Sequence, residues 1–418
     1  EEPAAKPVPP PEPSAAELAC AEAPDPAALA AGLPGGYRFL PGPMPALPGE
    51  FSVVSMNILA ASLASSHGYC KPEHLNWESR RQRLLEGLVR AVPDLILLQE
   101  VQGTFQPTAD NHFGDIAAAL GEAGYFAAAY ARLTTADGKE SGGEASKARS
   151  QKRPRVGNAV FARTSAWEKL GEGRIAFAAL LSARGVAAGA EGSAAEGQQV
   201  AAWARLRHNA SGLVVIAVSV HVCAGSRHDK QVAQVHAMLH CLGEEVLQPG
   251  DALLVGGDFN SLPGSGACRL LSEGALPADH ADLLQAPDAG ALYGPGGPAA
   301  PPGLAGGLRS AYAALQGTEP ELTWAAGGAG AEEHGTLDYL WFSPGLLEPV
   351  PGSLLPTPTL GEARAEGGGL LGSGVPSDHA PVGAVFRPAA PPEEDAVVVV
   401  EEAASPRRAP CWGACPGS

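Results

Sequence analysis

"LLVGGDFNSLPGSG", residues 253–266, closes an apolar run with two glycines, an acid and an amide, and a turn follows at once. Side chains at alternate positions of a strand point to the same face, so Asp258 and Asn260 would project together from the end of this strand. An acid and an amide on one side suit a metal ion and a phosphate. They equally suit an ordinary Asx turn. This stretch alone leaves both interpretations open.

The composition is that of an acidic globular chain, with 418 residues, 45% hydrophobic residues and a net charge of −17. An acidic protein that binds a polyanion must rely on metal ions or on local basic patches. Seven cysteines without metal-ligand spacing predict an intracellular, cytoplasmic setting, and organelle targeting stays open because the chain starts at Glu1 rather than Met. No run of 18 apolar residues occurs, so no membrane span is predicted.

Low-complexity segments divide the chain into one central domain and two tails. Both ends are rich in Pro and Ala and lack periodicity, which predicts disorder. The polar or Gly/Pro-rich interruptions within the domain predict surface insertions rather than boundaries. The predicted organisation is a disordered segment at 1–48, a catalytic domain at 49–387 with insertions near 134–155, 183–199 and 286–307, and a disordered tail at 388–418.

Between the tails, apolar runs typical of buried strands alternate with helical patterns. The segment 76–92, "NWESRRQRLLEGLVRAV", predicts a helix with Leu84, Leu85, Leu88 and Val89 on one face. A polar residue follows one strand after another, and layered α/β domains place their sites at strand ends. In chain order these candidates are Asn57, Glu100, His221, Asp258, Asn260, Asp338, Asp378 and His379.

The chemistry of this set suits phosphate ester hydrolysis. Carboxylate and amide oxygens are ligands for Mg²⁺ or Mn²⁺, and a pair of such ions can activate water beside a phosphate. Histidines add a contact to a phosphate oxygen or a general base. Taken singly, each residue also has a structural explanation as a solvated strand end, a core histidine or a turn. His236 and His240 share a helix face, where a solvated surface is favoured over a metal pair.

The ordered set of motifs resembles the endonuclease/exonuclease/phosphatase superfamily, and within it the carbon catabolite repressor four-like deadenylases with their nocturnin and Angel relatives. The resemblance covers about 51–387. It implies a four-layer α/β sandwich like that of deoxyribonuclease I, with two central, mostly antiparallel sheets flanked by helices, and a metal-dependent phosphodiesterase. The motifs that carry it are "SMNILA", "GYCKPEHLNWESRRQRLLEGL", "DLILLQEV", "GNAVF", "GDFNSLP", "LRSAY", "HGTLDYLWFS" and "PSDHAPV".

The resemblance also implies roles for individual residues. Glu100 would be the principal Mg²⁺ ligand with Asn57 beside it, and Asp258 would position or deprotonate the attacking water near a second ion. His379 would complete the metal centre, oriented by Asp338 or Asp378. The implied substrate contacts are His221, Asn158, Asn260 and His334. On this basis Gly256 and Gly257 would leave room for a backbone beside a phosphate and two ions.

The implied reaction is attack by water on an RNA 3′–5′ phosphodiester, which releases nucleoside 5′-monophosphates, with poly(A) as a candidate substrate. The deadenylases stack adenine on an aromatic residue shortly before "LDY", where this chain has Glu333 or His334. "LTWAAGGAGAEEHGTLDYLWFS" is closer to nocturnin, which removes the 2′-phosphate of NADP(H), but no Lys follows His221 as it does in the nocturnin-like relatives. A catalytically silent RNA-binding protein is a third alternative. A basic stretch at 147–155 could guide RNA. No leucine-rich repeat pattern is present, so protein partners stay undefined.

Overall fold

The structure is a computed structural model that describes most of the predicted catalytic domain. The predictions for 1–37, for the tail from 391 onward and for the basic stretch at 147–154 lie outside the described residues. So do the larger parts of the first two predicted insertions. The described residues are 38–103, 111–133, 155–185, 199–284, 292–327, 333–365, 369–372 and 374–390.

The secondary structure alternates between strands and helices along the whole described chain. The strands are β1 (Phe51–Asn57), β2 (Leu95–Gln99), β3 (Tyr125–Arg132), β4 (Gly157–Arg163), β5 (Trp167–Ala176), β6 (Val200–His208), β7 (Val214–His221), β8 (Ala252–Asp258), β9 (Arg309–Ser310), β10 (Trp324–Ala326), β11 (Glu333–Gly335), β12 (Asp338–Phe342), β13 (Leu347–Pro349) and β14 (Val382–Pro388). The α-helices are α1 (Ala61–Ala64), α2 (Pro72–Leu75), α3 (Trp77–Ala91), α4 (His112–Glu122), α5 (Phe177–Ala183), α6 (His228–Cys241), α7 (Gly266–Glu273), α8 (Ala311–Gln316) and α9 (Leu360–Ala365).

The strands form two central sheets, which are mostly antiparallel as predicted. The first sheet has the order β13-β14-β1-β2-β4-β3, and the second has the order β5-β6-β7-β8-β12-β9. Each sheet contains a parallel pair at its centre, β1 with β2 in the first and β7 with β8 in the second. Since the carboxyl ends of parallel neighbours lie at the same edge, both sheets bring polar strand ends together.

Three apolar layers hold the two sheets and the outer helices together. One cluster lies between the sheets and includes Phe51, Leu254 and Phe386. A second packs α6 and α7 against the second sheet, and a third packs α3 and α4 against the first sheet. The layers are therefore helix, sheet, sheet, helix, which confirms the predicted fold class. In the described residues, no helix is both long enough and apolar enough to cross a membrane.

The helix predicted at 76–92 is present as α3, and its ends follow known capping rules. The Asn76 side chain accepts a hydrogen bond from the backbone N–H of Ser79, and Val92 ends the helix in the left-handed conformation. Leu84 and Leu88 are buried as predicted, but Val89 is exposed. The buried face of α3 is narrower than the hydrophobic pattern predicts, and it also includes Arg80.

Two segments predicted to lie outside the packed core contribute residues to it. Residues 38–48 were expected to be disordered, but Phe39, Leu40 and Met44 are buried in the same cluster as α3. The predicted insertion 286–307 is also packed from residue 292 onward, because Leu304 is buried in the cluster around α6 and α7. Isolated apolar residues within Pro- and Gly-rich sequence thus contribute to the core without producing a periodic pattern.

The two glycines of the opening stretch serve the packing of the sheets. A Cβ at Gly256 would lie 2.6 Å from Leu97 Cδ1 of the facing sheet, and one at Gly257 would lie 1.9 Å from the carbonyl oxygen of Val220 in β7. The expectation that they make room for a phosphate and ions is wrong, because other parts of the chain fill that space.

Candidate active site

The ends of the central strands meet at one edge of the sandwich and carry most of the candidate residues. Asn57 lies at the end of β1, and Glu100 directly follows β2. In the second sheet, His221 is paired in register with Asp258 across the parallel strands, and Asp258 is paired with Asp338 across the antiparallel ones. Backbone register therefore assembles side chains from distant parts of the chain, from His221 through Asp258 to Asp338.

Asn57 connects the two sheets within the site. Its Nδ2 donates to Glu100 Oε1 and to Asp258 Oδ2, both at 3.0 Å. Its Oδ1 accepts from the backbone N–H of Leu59 at 3.0 Å, which fixes the orientation of the amide. Because one amide holds a carboxylate from each sheet, Asn57 sets the spacing between the two acids.

Glu100 has an unusual backbone conformation at the point where the chain leaves β2. Its φ of +58° is left-handed, a conformation that is uncommon for residues other than glycine and that recurs at functional sites. The turn directs the carboxylate back into the edge, where Oε2 accepts from the backbone N–H of Ala60 at 2.8 Å. Each oxygen of Glu100 thus has one protein donor and keeps a lone pair for a ligand.

Asp258 lies at the centre of the site between two histidines. Its Oδ2 is 3.5 Å from His221 Nε2 and 3.6 Å from His379 Nε2. These distances exceed those of normal hydrogen bonds. The carboxylate and both imidazoles converge closely enough to share a small ligand.

His379 is held by Asp338, which decides between the two predicted orienting acids. The Nδ1 of His379 lies 2.8 Å from Asp338 Oδ2, and Thr323 Oγ1 donates to the same oxygen at 2.7 Å. Burial alone would lower the pKa of His379, but the negative charges of Asp338 and Asp258 raise it well above its usual value. The other oxygen of Asp338, Oδ1, is buried and has no hydrogen-bond partner among the described residues.

Asp378 points to different partners than its sequence neighbour His379. Its Oδ2 lies 3.0 Å from His67 Nε2 and accepts from Trp324 Nε1 at 3.1 Å. Burial opposes ionisation, but the charges of His379 and His67 lower the pKa of Asp378 to about 2. Asp378 therefore anchors the loop that carries His379 instead of orienting its ring.

Asn260 is fixed through its backbone and its amide. Its φ is +48°, its backbone N–H donates to Asp258 Oδ1 at 2.9 Å, and its Nδ2 donates to the Val222 carbonyl at 2.9 Å. Gln231 of α6 donates to the Asn260 carbonyl at 2.7 Å. The predicted phosphate contact stays a prediction, and it would use the remaining capacity of this amide.

In the part of the chain that the structure describes, two predicted substrate residues make no hydrogen bond to the central acids. Asn158 is the second residue of β4, beside the end of β2, and its amide donates to the Val200 carbonyl of β6. His334 lies exposed in β11, at a groove of about 370 Å³. The groove is lined by Leu262, Trp324, Glu333, His334, Gly335 and Leu337. Within the described residues, no hydrogen bond or ion pair joins either one to the central acids.

The donor set fits a divalent cation. One ligand atom each from Asp258, Asp338 and His379 lie within 4.8 Å of one another, and the orphaned Oδ1 of Asp338 lacks a partner that a cation would supply. Oxygen-rich sets with one imidazole suit Mg²⁺ or Mn²⁺. Sequence reasoning included Asp258 and His379 as ligands but assigned Asp338 only to the orientation of His379.

Several residues of the site were missed by sequence reasoning. His67, Thr323, Trp324 and Gln231 contact site residues through hydrogen bonds, but none of them ends a predicted strand. Only the wider motifs that contain them, such as "HDKQVAQV" and "LTW", give a signal. The sequence pattern gives no role for Arg80, which lies within "NWESRR".

Comparisons with known proteins find relatives in sequence and in fold. The Arabidopsis thaliana carbon catabolite repressor protein 4 homolog 2 is 29% identical over 265 residues, which are 57% of this chain and 40% of that protein. The chain thus spans well under half the length of that curated relative. The fold matches a crystal structure of ANGEL2, a 2′,3′-cyclic phosphatase, with a TM-score of 0.62, 20% identity, and coverage of 81% of this chain and 95% of that one.

A second solved structure with this fold is the human nocturnin catalytic domain with a bound sulfate anion. It matches with a TM-score of 0.52 and 20% identity over 83% of this chain and all of that chain. The model of the endonuclease/exonuclease/phosphatase family matches residues 54–379, a span that runs from β1 to His379. Fold, site and family model together show that the chain belongs to the endonuclease/exonuclease/phosphatase family.

Proposed function

We propose that the protein is a Mg²⁺-dependent 3′–5′ exoribonuclease that hydrolyses RNA to nucleoside 5′-monophosphates, with poly(A) as the first candidate substrate. The observation that carries this proposal is the convergence of Glu100, Asp258, Asp338 and His379 at one edge of the sandwich, with one oxygen of Asp338 left without a hydrogen-bond partner among the described residues. The similarity to carbon catabolite repressor 4 homologs supports RNA as the substrate class.

The residues divide between holding the ions and holding the phosphate. Glu100 with Asn57, and Asp258 with His379, would hold Mg²⁺, and Mn²⁺ would suit the same ligands. Bound Mg²⁺ would lower the pKa of water and neutralise phosphate charge. His221 and Asn260 lie beside Asp258 and would donate to oxygens of the scissile phosphate, while Asp338 keeps the His379 ring in a fixed orientation.

The groove beside the site supports a substrate that carries a base. Trp324 forms one wall, and its ring centroid lies 6.4 Å from that of His379. Leu262, two residues after Asn260, is 55% exposed and adds an apolar surface. Nucleobases stack on aromatic side chains without a requirement for a particular base. His334 and Glu333 at the rim would then contact the edge of the base.

An NADP(H) 2′-phosphatase of the nocturnin kind is the second candidate. The "LTW" and "HGTLDYLWFS" segments and the match to the nocturnin catalytic domain favour it. Val222 and Cys223 follow His221, where the nocturnin-like relatives carry a Lys. That lysine would be a natural partner for an additional phosphate, so its absence favours RNA.

The decisive experiment supplies Mg²⁺ and four substrates to the purified protein: oligo(A), a mixed-sequence RNA, an RNA with a 2′,3′-cyclic phosphate end, and NADPH. Shortening of RNA from the 3′ end with release of 5′-monophosphates supports the proposal. Release of phosphate from NADPH would instead indicate a phosphatase. So would opening of the 2′,3′-cyclic phosphate without shortening of the RNA. RNA binding without turnover would indicate a silent binding protein.

Glu100→Ala tests the metal assignment in the same assay. We expect loss of all hydrolysis, because the carboxylate beside Asn57 is removed while the fold keeps its apolar layers. Glu86→Ala on the exposed face of α3 is the matched control and should retain wild-type activity. Activity of Glu100→Ala within tenfold of the wild type would contradict the metal assignment.

A further inference from the structure

The side chain of Arg80 on α3 is fully enclosed, and its hydrogen bonds go to main-chain carbonyls. Its Nη1 donates to the carbonyl oxygens of Ile58 at 2.8 Å, Leu59 at 2.9 Å and Pro376 at 3.1 Å. Its Nε lies 3.4 Å from the Leu75 carbonyl oxygen. One guanidinium group thus joins three chain segments that meet behind the site.

Two of these segments carry the candidate metal ligands. Ile58 and Leu59 directly follow Asn57, and Pro376 lies three residues before His379. Ser377 connects the same two loops, because its Oγ donates to the Asn57 carbonyl at 2.7 Å. A shift of Arg80 would therefore change the spacing between the Asn57 loop and the His379 loop.

A role in packing alone does not explain why a charged side chain occupies the buried position of Arg80. Burial lowers the pKa of Arg80 to about 10, so the group stays cationic at neutral pH. Its contacts are carbonyl dipoles and the face of Trp77, 5.3 Å from the ring centroid, rather than a carboxylate. Donation from a single Nη group to carbonyls of two separate loops is a contact that positions those loops relative to each other.

We propose that Arg80 is a positioning residue that holds the Asn57 loop and the His379 loop at the separation needed for divalent cation binding. The proposal rests on the proposed function only in that both require a divalent cation at this edge. It assigns a role to the "NWESRR" motif that the substrate chemistry does not use. Arg80 itself touches neither the substrate nor the ion.

The test measures Mn²⁺ binding without substrate, by titration calorimetry or by the decrease of the electron paramagnetic resonance signal of free Mn²⁺. The kcat and the midpoint of unfolding are measured on the same variants. Arg80→Met removes the guanidinium group and nearly preserves the volume, and Arg80→Lys keeps the charge with fewer, less directed donors. Residues that orient metal ligands typically contribute 10- to 100-fold in affinity, so we expect Arg80→Met to weaken Mn²⁺ binding by about that factor. Arg80→Lys should lie between Arg80→Met and the wild type.

Arg81→Met is the matched control, because Arg81 neighbours Arg80 on α3 but is paired with Glu78 at the surface. It should leave Mn²⁺ affinity and kcat within twofold of the wild type. If Arg80→Met fails to fold, Arg80→Lys must show weaker Mn²⁺ binding at temperatures where it is fully folded. Wild-type Mn²⁺ affinity in a folded Arg80 variant, with only a lower unfolding midpoint, would overturn the proposal.

The outcomes separate this proposal from the proposed function. Mn²⁺ binding that depends on Arg80 in a protein that hydrolyses no RNA would support the positioning role and reject the exoribonuclease. RNA hydrolysis by a protein whose Mn²⁺ affinity does not depend on Arg80 would support the exoribonuclease and reject the positioning role. A wild-type protein that binds no Mn²⁺ would overturn both.

Discussion

Two buried histidines, His379 at the sheet edge and His236 on α6, have pKa values shifted in opposite directions. Each is 5% exposed. His379 Nδ1 lies against the Asp338 carboxylate, while His236 Nδ1 has no hydrogen-bond partner among the described residues. The pKa of His379 is raised, whereas burial, with the charges of His240 and Arg184, lowers the pKa of His236 to about 3.

The difference shows that burial selects neutral imidazole unless a carboxylate is buried with it. It also explains why the histidine pair on α6 is neither of the alternatives weighed from the sequence. His236 is not solvated, and both ring nitrogens of His240 are engaged, one by Glu244 Oε1 at 2.7 Å and the other by the Ala299 carbonyl at 3.0 Å. His240 has no nitrogen left for a metal ion.

The largest expected effect comes from removing the carboxylate that distinguishes His379. In Asp338→Asn the amide can present its N–H₂ to the ring and stabilise the wrong tautomer, and the buried cluster loses one charge. A comparable change at a histidine–aspartate pair costs about 10⁴-fold in kcat. We expect a decrease of about 10³-fold or more, measured as kcat on whichever of the four assayed substrates the wild-type protein hydrolyses.

Glu244→Gln makes the same chemical change beside His240 and is the control for Asp338→Asn. Glu244 is exposed, so kcat should not change, and stability should stay within about 0.5 kcal/mol of the wild type. Equal losses of kcat in Asp338→Asn and Glu244→Gln would mean that the carboxylate beside His379 is no more important for activity than the carboxylate beside His240.

Four of the site residues that sequence reasoning identified share one feature, their position at the end of an apolar strand. Asn57, Glu100, His221 and Asp258 were found because strand periodicity and a terminal polar residue are both local properties. The choice between Asp338 and Asp378 was not available from the sequence, since it depends on the register of β12 against β8. Which carboxylate faces His379 is a property of sheet pairing, not of composition.

The fold was predictable to a similar extent and for the same reason. The central strands β1, β2, β7 and β8 are mostly apolar runs, as expected for strands buried on both faces. The strand β3, "YFAAAYAR", and the strand β5, "WEKLGEGRIA", were not predicted, because alanine and alternating Glu and Gly carry little strand preference. These strands form only because neighbours in the two sheets supply their hydrogen bonds.

The stability of the protein should depend on pH through the buried His236. Its folded pKa of about 3 lies below the unfolded value of about 6.5, so the unfolded state binds more protons between these values. Stability from this group is therefore complete above pH 6.5 and is lost as the pH falls toward 3. Between pH 7 and pH 5 the loss should be about 2 kcal/mol.

His236→Leu should remove that pH-dependent loss. The measurement is urea unfolding of the wild type and the variant at pH 7 and at pH 5, and the quantity of interest is how the stability difference between them changes with pH. Leucine also removes a buried nitrogen without a partner, so the variant should not be strongly destabilised at pH 7. A difference that is the same at both pH values would show that His236 is not held neutral.

The smallest effect concerns the aromatic ring beside each histidine. Trp324 lies near His379 and lines the groove, while Tyr293 packs edge-on against His236 with ring centroids 4.9 Å apart. If the Trp324 face stacks a base, Trp324→Leu should raise KM for RNA about tenfold, which corresponds to the lower part of the range for base stacking.

Trp324→Phe separates stacking from the hydrogen bond to Asp378. Phenylalanine keeps an aromatic face but cannot donate to the Asp378 carboxylate, so a KM near the wild-type value with a reduced kcat would assign the indole N–H to the loop of His379 and the ring to the substrate. Tyr293→Leu should change neither constant, because Tyr293 packs beside α6, away from the sheet edge. A KM that rises in Tyr293→Leu as much as in Trp324→Leu would contradict base stacking in the groove and attribute both effects to general loss of packing.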